Sequence, residues 1–374
     1  MSEVRPFTLA VPQAQLDDLH ARIDATRWPE RETVADWSQG TPLAALQDLL
    51  AYWRGGYDWR VCEAKLNALG QFVTAIDGLD IHFIHHRSPR ADALPLIMTH
   101  GWPGSVIEFL GVIEALANPA DGGQAFHVVA PSLPGFGFSG KPSATGWGVE
   151  KIARSWAELM GRLGYPRWFA QGGDWGSAVT TSIGVQALTG CAGIHLNMPI
   201  GRPLPADLEN PDAGELKALA ALKYYQDWDA GYSTQQRTRP QTVGYGLVDS
   251  PAGLAGWILE KMWAWTDNQG SPYDALSRDQ ILDNLMLYWL PATGASSARL
   301  YWESFGSFAP AQIMLPVAVS AFPKEILPTP RKWAERNMPG LVHWGDMAHG
   351  GHFAAWEQPA AFVRELRTAF ALMA

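Results

Sequence analysis

A glycine-flanked aspartate, Asp174, gives the clearest chemical signal in the sequence. It lies in RWFAQGGDWGS, where a short apolar run ends in Gly172-Gly173 and a helix-permissive stretch, SAVTTSIGVQAL, follows Gly176. A strand, a tight turn and a helix around one reactive side chain are typical of a nucleophile elbow. Because this side chain is a carboxylate, its attack on a substrate would form an ester whose acyl carbon belongs to the enzyme. We therefore predict that water then attacks Asp174; the alternative is a simple helix N-cap.

A second turn, HGWPGS at residues 100–105, follows the apolar run LPLIMT. Its glycine and proline residues restrict the backbone to an irregular path that can point an N–H group at a reaction site. In nucleophile-elbow enzymes the oxyanion hole combines such an N–H with that of the residue after the nucleophile. We therefore predict that the N–H groups of Trp102 and Trp175 form an oxyanion hole, and we expect a structural role for His100.

A candidate base, His352, follows the last apolar run in AHGGHFAAWEQP. This is the place of the histidine in the chain order of many hydrolase triads. A histidine that activates water needs a carboxylate to fix its tautomer and stabilise the imidazolium. Glu325, which follows the run IMLPVAVS in SAFPKEILPTP, and Asp346, six positions before His352, are equal candidates on these grounds.

Two other patterns are weaker. Four side chains recur every three residues and raise the alternative of a metal site: His343, Asp346, His349 and His352. Three glycines in the same stretch argue against the continuous helix that this spacing would require. The match to G-x-G-x-x-G at residues 135–140 precedes Lys141-Pro142 rather than a helix, so we expect a glycine-rich loop and no dinucleotide site.

Composition excludes several classes of protein. The net charge of −9 argues against a nucleic-acid or anionic-membrane partner. Two cysteines are too few for a disulfide framework. The N-terminus lacks the apolar core of a signal peptide, and no apolar stretch of about 20 residues occurs. We therefore expect a soluble, cytoplasmic protein.

The elements that must position these residues alternate between short apolar runs and helical patterns, which is typical of a mostly parallel α/β sheet. Residues 1 to about 70 show helical periodicity, and we expect the sheet to begin at a hairpin around Asp77-Gly78. More than a hundred residues separate the run ending near Pro199 from the one opening near Ile313. We predict a helical insertion there, with Ser250 as an N-cap, lying as a lid over the carboxyl ends of the strands.

These motifs together resemble the microsomal-type epoxide hydrolases of the α/β-hydrolase fold, over nearly the whole chain. The segments PFTLAVPQAQLDDLHARIDATRWPE and YDWRVCEAKLNALGQFVTAIDGLDIHFIHHRS are similar to that family's own N-terminal domain. The resemblance implies four segments: an N-terminal segment that wraps the core (1–75), the first part of the hydrolase core (76–200), a helical lid (201–308) and the second part of the core (309–374).

The same resemblance implies the roles of the site residues. GGDWG gives the nucleophile as Asp174, HGWPGS gives an oxyanion donor at Trp102, and GGHFAAWEQP gives the base as His352. In this family the acid lies in a segment like FPKEILPTPRKW, which selects Glu325 and leaves Asp346 in reserve.

The resemblance also implies two lid tyrosines that hold the epoxide oxygen, and the segments DAGYSTQQRTRPQT and SARLYWES supply Tyr232 and Tyr301. The implied reaction converts a small hydrophobic epoxide and water to a vicinal diol, with no metal or organic cofactor. Neither nucleic acid nor membrane is an expected partner, and a homodimer is one option for assembly. Two alternatives stay open: a haloalkane dehalogenase with the same Asp/His/acid machinery, or a catalytically silent relative that binds a hydrophobic ligand.

Overall fold

The structure is a computed structural model that describes residues 3–374, and within them nine strands form one sheet in the order β1-β2-β3-β5-β4-β6-β7-β8-β9. The strands are β1 (Arg5–Phe7), β2 (Gln71–Ile76), β3 (Leu79–His86), β4 (Leu94–Thr99), β5 (Phe126–Pro131), β6 (Trp168–Gly172), β7 (Cys191–Leu196), β8 (Val317–Ala321) and β9 (Leu341–Asp346). The pairs from β1 to β5 are antiparallel, and all pairs from β5 to β9 are parallel. This confirms the predicted mostly parallel α/β sheet.

Fifteen α-helices accompany the sheet within the described range. They are α1 (Gln13–Asp24), α2 (Leu43–Gly55), α3 (Trp59–Ala68), α4 (Leu110–Ala117), α5 (Val149–Arg162), α6 (Asp174–Gln186), α7 (Ala213–Tyr224), α8 (Gly231–Thr238), α9 (Pro240–Asp249), α10 (Pro251–Trp265), α11 (Arg278–Trp289), α12 (Gly294–Ser304), α13 (Arg331–Ala334), α14 (Ala354–Glu357) and α15 (Pro359–Ala371). Helices α7 to α12 lie between β7 and β8 in the chain, where we expected an insertion. Each helix of residues 3–374 falls short of the length or the hydropathy that a bilayer-crossing segment would need.

The start of the sheet differs in part from the expectation. Asp77 and Gly78 both adopt positive φ (50° and 78°) between β2 and β3, as a two-residue type I′ hairpin turn requires, so the hairpin is confirmed. The sheet does not begin there, however, because β1 pairs antiparallel with β2 at the edge. A strand of three residues is too short to show a period of two, so its place depends on pairing that the sequence alone does not reveal.

The N-terminal helices pack against the lid as well as the core. Helices α1 and α2 contact α10, and α3 contacts α11. The Tyr57 hydroxyl donates a hydrogen bond to Asp283 Oδ1 of α11 (2.7 Å), and the Tyr52 hydroxyl donates one to Asp279 Oδ1 of the same helix (2.8 Å). The N-terminal segment thus acts as a brace that fixes the position of the lid.

The lid helices begin where their capping residues predict. The Ser250 hydroxyl accepts a hydrogen bond from Gly253 N–H, with Pro251 at the first position of α10, which confirms the expected N-cap. Between α7 and α8 the chain forms a π-helical turn at Tyr225–Asp229. Such turns are rare and frequently occur beside functional sites.

Candidate active site

The turn that carries Asp174 is sterically confined. Strand β6 ends at Gly172 and α6 starts at Asp174, whose φ of 51° lies in the left-handed region that non-glycine residues seldom adopt. A Cβ added to Gly172 would lie 2.0 Å from the Gly176 carbonyl oxygen, and one added to Gly176 would lie 1.8 Å from the Thr99 carbonyl oxygen. Only glycines fit these positions. The elbow therefore holds one side chain, that of Asp174, away from the sheet in a strained conformation.

The two oxygens of Asp174 have different partners. Its Oδ1 accepts a hydrogen bond from the backbone N–H of Trp102 at 2.7 Å, and its Oδ2 lies 3.4 Å from His352 Nε2. Trp175 follows in the first turn of α6, where backbone N–H groups have no acceptor within the helix. The N–H of Trp102 thus contacts the carboxylate, and that of Trp175 lies in the helix turn that Asp174 begins.

His352 is held by two carboxylates. Its Nδ1 lies 2.6 Å from Glu325 Oε1, and its Nε2 faces Asp174. All three side chains are buried, with 4%, 7% and 8% of the surface of His352, Glu325 and Asp174 exposed. Burial alone would lower the pKa of His352, but the charge of Glu325 and the hydrogen bond to Asp174 outweigh it and hold the pKa well above its usual range. These two contacts therefore favour the protonated imidazole.

The two candidate acids lie in different environments. Glu325, in the loop after β8, contacts His352 and also accepts a hydrogen bond from Ile326 N–H at 2.7 Å. Asp346, the last residue of β9, is exposed and accepts a hydrogen bond from the Trp344 indole at 3.0 Å. The structure therefore brings Glu325, and not Asp346, to the imidazole.

The other patterns near these loops are structural. His343 Nε2 lies 2.9 Å from Glu365, and His349 is exposed, so the spaced C-terminal side chains do not converge. Throughout residues 3–374, no three His, Cys, Asp or Glu side chains are grouped as a metal site would require. Both ring nitrogens of His100 bond backbone groups, and burial lowers its pKa to about 4. Residues 135–140 form a loop, and the next helix begins only at Val149.

Tyr232 and Tyr301 lie on lid helices α8 and α12, with ring centroids 5.8 Å apart. The Tyr232 ring stacks on that of Trp102 at 4.9 Å, and the Tyr301 ring contacts that of Trp175 edge-on at 4.8 Å. Each tyrosine therefore packs on one residue of the expected oxyanion hole. Burial raises the pKa of both phenols well above their usual range, which keeps them protonated at neutral pH.

The structure adds positioning residues around Tyr232 that the sequence did not reveal. A third tyrosine, Tyr225, has its hydroxyl oxygen 3.4 Å from that of Tyr232. Lys261 lies 4.7 Å from the centroid of the Tyr232 ring and forms a buried ion pair with Asp229 Oδ1 at 2.6 Å. Asp229 Oδ2 also accepts a hydrogen bond from the Trp265 indole. These contacts tie the π-helical turn to α10 and so fix the position of Tyr232.

The lid also holds the HGWPGS loop. Asn284 Nδ2 of α11 donates to the Pro103 carbonyl oxygen, and the Tyr288 hydroxyl donates to that of Gly104, both at 2.7 Å. The Ser105 hydroxyl donates in turn to Asn284 Oδ1 at 2.7 Å. Asn284 and Tyr288 lie four residues apart, on one face of the helix. That spacing was a signal in the sequence, but it did not indicate which loop this face would meet.

A small cavity adjoins Asp174 and His352. Its volume is about 20 Å³, and its polar lining includes Glu108, Gln171 and Asn197. Glu108 lies three residues beyond HGWPGS, in the otherwise apolar stretch VIEFLGVI. A charged residue in such a stretch was a signal that the sequence interpretation did not use.

Comparisons with known proteins agree with this geometry. Residues 4–109 match the family model described as epoxide hydrolase N terminus, and residues 95–244 match the α/β-hydrolase fold. A Stigmatella aurantiaca (strain DW4/3-1) protein whose name classes it with the epoxide hydrolases is 55% identical, over 98% of this chain and 84% of its own. The chain belongs to the epoxide hydrolase family. The resemblance identified from the sequence is therefore confirmed, as is the enzyme class.

Two further epoxide hydrolases cover almost the whole chain. Epoxide hydrolase 1 of Sus scrofa is 36% identical, over 99% of this chain and 89% of its own. The structure of Aspergillus niger epoxide hydrolase superposes with a TM-score of 0.90 at 33% identity, covering 100% of this chain and 97% of that one. The likeness thus includes the N-terminal brace and the lid as well as the sheet.

Proposed function

We propose that this enzyme converts a small hydrophobic epoxide to a vicinal diol through a covalent ester on Asp174. The observation that carries the proposal is that the two Asp174 carboxylate oxygens face different partners. One accepts the Trp102 N–H at 2.7 Å, as the carbonyl oxygen of an ester would, and the other faces His352 and is the attacking atom. The proposal needs no metal or organic cofactor.

In the first step, Asp174 Oδ2 attacks a ring carbon of the epoxide and the carbon–oxygen bond of the ring breaks. The oxygen leaves as a strongly basic alkoxide, so it needs a proton donor. The buried, protonated phenols of Tyr232 and Tyr301 are suited to this role, and one of them gives up its proton. The ammonium of Lys261, 4.7 Å from the Tyr232 ring centroid, favours the phenolate that forms.

Ester formation prepares the base for the second step. While Asp174 is a carboxylate, its charge and that of Glu325 keep His352 protonated. The ester is neutral, so one of these two stabilising charges is lost and the pKa of His352 falls. The imidazolium releases a proton and the phenolate takes one up, which leaves a neutral imidazole and an intact phenol.

In the second step, neutral His352 takes a proton from water as the water oxygen attacks Cγ of Asp174. The N–H groups of Trp102 and Trp175 stabilise the oxyanion, and Glu325 stabilises the imidazolium. The tetrahedral intermediate then expels the diol oxygen, which takes the proton from His352. Asp174 is left as a carboxylic acid with one oxygen that came from water, and its proton passes to His352, which restores the carboxylate and the imidazolium.

The division of roles gives a direct test with His352→Ala. Ester formation needs Asp174 and the tyrosines, whereas hydrolysis needs His352, so the variant should open the epoxide and stop at the ester. Intact-protein mass spectrometry with styrene oxide should show protein heavier by one substrate molecule. Unmodified His352→Ala protein, after long incubation with an epoxide that the wild type consumes, would overturn the proposal.

The dehalogenase alternative makes a different demand on the lid. A halide is a weak base that leaves without a proton, so a dehalogenase needs N–H dipoles but not two buried phenols. The tyrosine pair therefore favours an epoxide. Faster turnover of 1-bromobutane than of styrene oxide or a terminal alkyl epoxide by the wild type would favour the dehalogenase instead.

A further inference from the structure

The cavity beside the triad has the size and lining of a site for one water molecule. Its volume of about 20 Å³ exceeds the roughly 10 to 15 Å³ that a single water needs. Asp174 and His352 line it together with the polar side chains of Glu108 and Gln171. A water here would touch both the carbon to be attacked and the base, which the second step requires.

Gln171 supplies an independent reason to expect a hydrogen-bond donor in the cavity. Only 1% of its surface is exposed, and its Nε2 donates to Asn197 Oδ1 at 2.8 Å. Its Oε1 is buried and has no hydrogen-bond partner among residues 3–374. Buried acceptors are nearly always satisfied by protein or by ordered water, because an unpaired one costs about 1 to 3 kcal/mol. A water that donates to Gln171 would meet this requirement.

Glu108 is held with its carboxyl group at the same cavity. It lies in the 3-10 turn Val106–Phe109, and its carboxyl accepts backbone hydrogen bonds from Gly101 and Ser105. A Cβ added to Gly104 would lie 1.7 Å from Glu108 Oε1, and the three nearest atoms to it all belong to Glu108. Glycine at position 104 therefore leaves the space that this carboxyl group occupies.

We infer that Glu108 holds the hydrolytic water against His352, an inference that rests on the proposed ester mechanism. In the resting enzyme His352 is protonated and cannot accept, so the water donates its two hydrogens to Glu108 and Gln171. Once the ester forms and His352 becomes neutral, the water turns one hydrogen to Nε2 and keeps the other on Glu108. Its oxygen then attacks Cγ of Asp174, the first proton moves to His352, and the second remains on the Asp174 carboxyl group being formed until the diol leaves.

The charges of His352 and Asp174 act on Glu108 in opposite directions. Burial raises its pKa to about 8; the charge of His352 opposes this shift, and that of Asp174 adds to it. Both charges are lost once the ester has formed and His352 is neutral, so their opposite effects on the pKa of Glu108 offset each other, and a carboxyl oxygen accepts a hydrogen bond from water in either protonation state. Glu108 is half-buried and lines the cavity beside Asp174 and His352.

Two variants and a control test the role of Glu108. Glu108→Gln keeps the shape but replaces the carboxyl group with an amide, and Gly104→Ala keeps the carboxyl group but displaces it. Both should slow ester hydrolysis about 10- to 100-fold, since misplacing a reacting group by an ångström can cost on the order of 10²-fold. Glu114→Gln is the control, because Glu114 is an exposed glutamate on α4 that pairs with His86. It should hydrolyse the ester at the wild-type rate.

The readout separates water positioning from support of the loop. Tryptophan fluorescence in stopped flow follows ester formation, and rapid quenching with mass spectrometry follows ester decay. We expect ester formation at the wild-type rate in all three variants and accumulation of ester in Glu108→Gln and Gly104→Ala. If Glu108 only supported the HGWPGS loop, Trp102 N–H would move and both steps would slow together, which would overturn the inference.

The proposed function and this inference fail in different ways. If His352→Ala forms no ester, the covalent mechanism is wrong and the role of Glu108 is lost with it. If His352→Ala accumulates ester while Glu108→Gln hydrolyses it as fast as Glu114→Gln, only the role of Glu108 is wrong.

Discussion

The triad lies on loops at the carboxyl ends of core strands, whereas the two tyrosines lie on helices of the lid. Asp174 follows β6, Glu325 follows β8 and His352 follows β9, so one parallel sheet brings all three to the same edge. Tyr232 and Tyr301 reach that edge only because the lid folds over it. In the proposed mechanism, the core therefore sets the geometry of ester hydrolysis, and the lid supplies the proton donors for ester formation.

The two regions also differ in charge. In the core, the charge of Glu325 and the hydrogen bond to Asp174 favour a protonated His352 in spite of burial. In the lid, burial keeps both phenols neutral. A carboxylate nucleophile in the core thus faces neutral proton donors in the lid, as the proposed attack from one side of the substrate and protonation on the other require.

The largest expected effect is on the lid. Tyr232→Phe together with Tyr301→Phe removes both proton donors while the rings keep their packing on Trp102 and Trp175. Loss of one donor to a developing oxyanion costs about 2.7 to 4 kcal/mol when it acts alone. We expect each single change to fall at or below that range, and the double change nearly to abolish ester formation.

Stopped-flow tryptophan fluorescence measures this loss directly. No measurement of ester hydrolysis is needed, because the rate at which the double variant forms the ester decides the question. Ester formation at the wild-type rate in the double variant would show that the lid tyrosines do not act as proton donors.

The next largest effect is expected in the core. Glu325→Gln keeps the side-chain shape but no longer stabilises the imidazolium, and a comparable carboxylate-to-amide change in a serine protease triad lowers kcat about 10⁴-fold. We expect a loss of up to this size in ester hydrolysis, with ester accumulating as in a mild form of His352→Ala. Rapid-quench mass spectrometry gives the decay rate of the ester.

Asp346→Asn is the matched control for that change. Asp346 is exposed and contacts the Trp344 indole rather than His352, so its replacement should leave both steps unchanged. If Asp346→Asn impairs hydrolysis more than Glu325→Gln does, the wrong carboxylate has been assigned to the base.

The smallest expected effect concerns the brace between the N-terminal segment and the lid. Tyr57→Phe removes a hydrogen bond to the buried Asp283, and an unsatisfied buried acceptor costs about 1 to 3 kcal/mol. Tyr52→Phe removes an exposed bond to Asp279 on the same helix and should change stability by no more than about 0.5 kcal/mol. Urea unfolding measures both changes.

If the brace positions the lid tyrosines, Tyr57→Phe should also slow ester formation slightly and leave hydrolysis unchanged. Equal destabilisation by Tyr57→Phe and Tyr52→Phe would instead show that the buried contact adds nothing to the position of the lid.

The same comparison explains what the sequence could reveal. The elbow around Asp174 and the loop around Trp102 are local: glycines, one reactive residue and a following helix lie within a dozen positions. The lid tyrosines carry no local signal, and only resemblance to a family selected Tyr232 and Tyr301. By spacing alone, Glu325 and Asp346 were equal candidates for the acid that orients His352, because spacing does not show which loop turns toward the imidazole.

Contacts between segments far apart in the chain could not be predicted from the sequence for a related reason. The three-residue β1 depends on its pairing with β2, and the link from Lys261 to Asp229 crosses from α10 to a π-helical turn. Apolar periodicity shows which face of an element is buried but not which element covers it. Family resemblance selected the candidate site residues, and the folded structure showed which residues contact them.

The origin of the oxygen atoms tests the covalent mechanism most directly. With enzyme in excess over epoxide in oxygen-18 water, a single turnover should place label in the peptide that contains Asp174 and leave the diol unlabelled, because the attacking oxygen of Asp174 departs with the product. Repeated turnovers should then carry label into the diol. Label found only in the diol after a single turnover would mean that water attacks the epoxide directly, and the ester mechanism would be wrong.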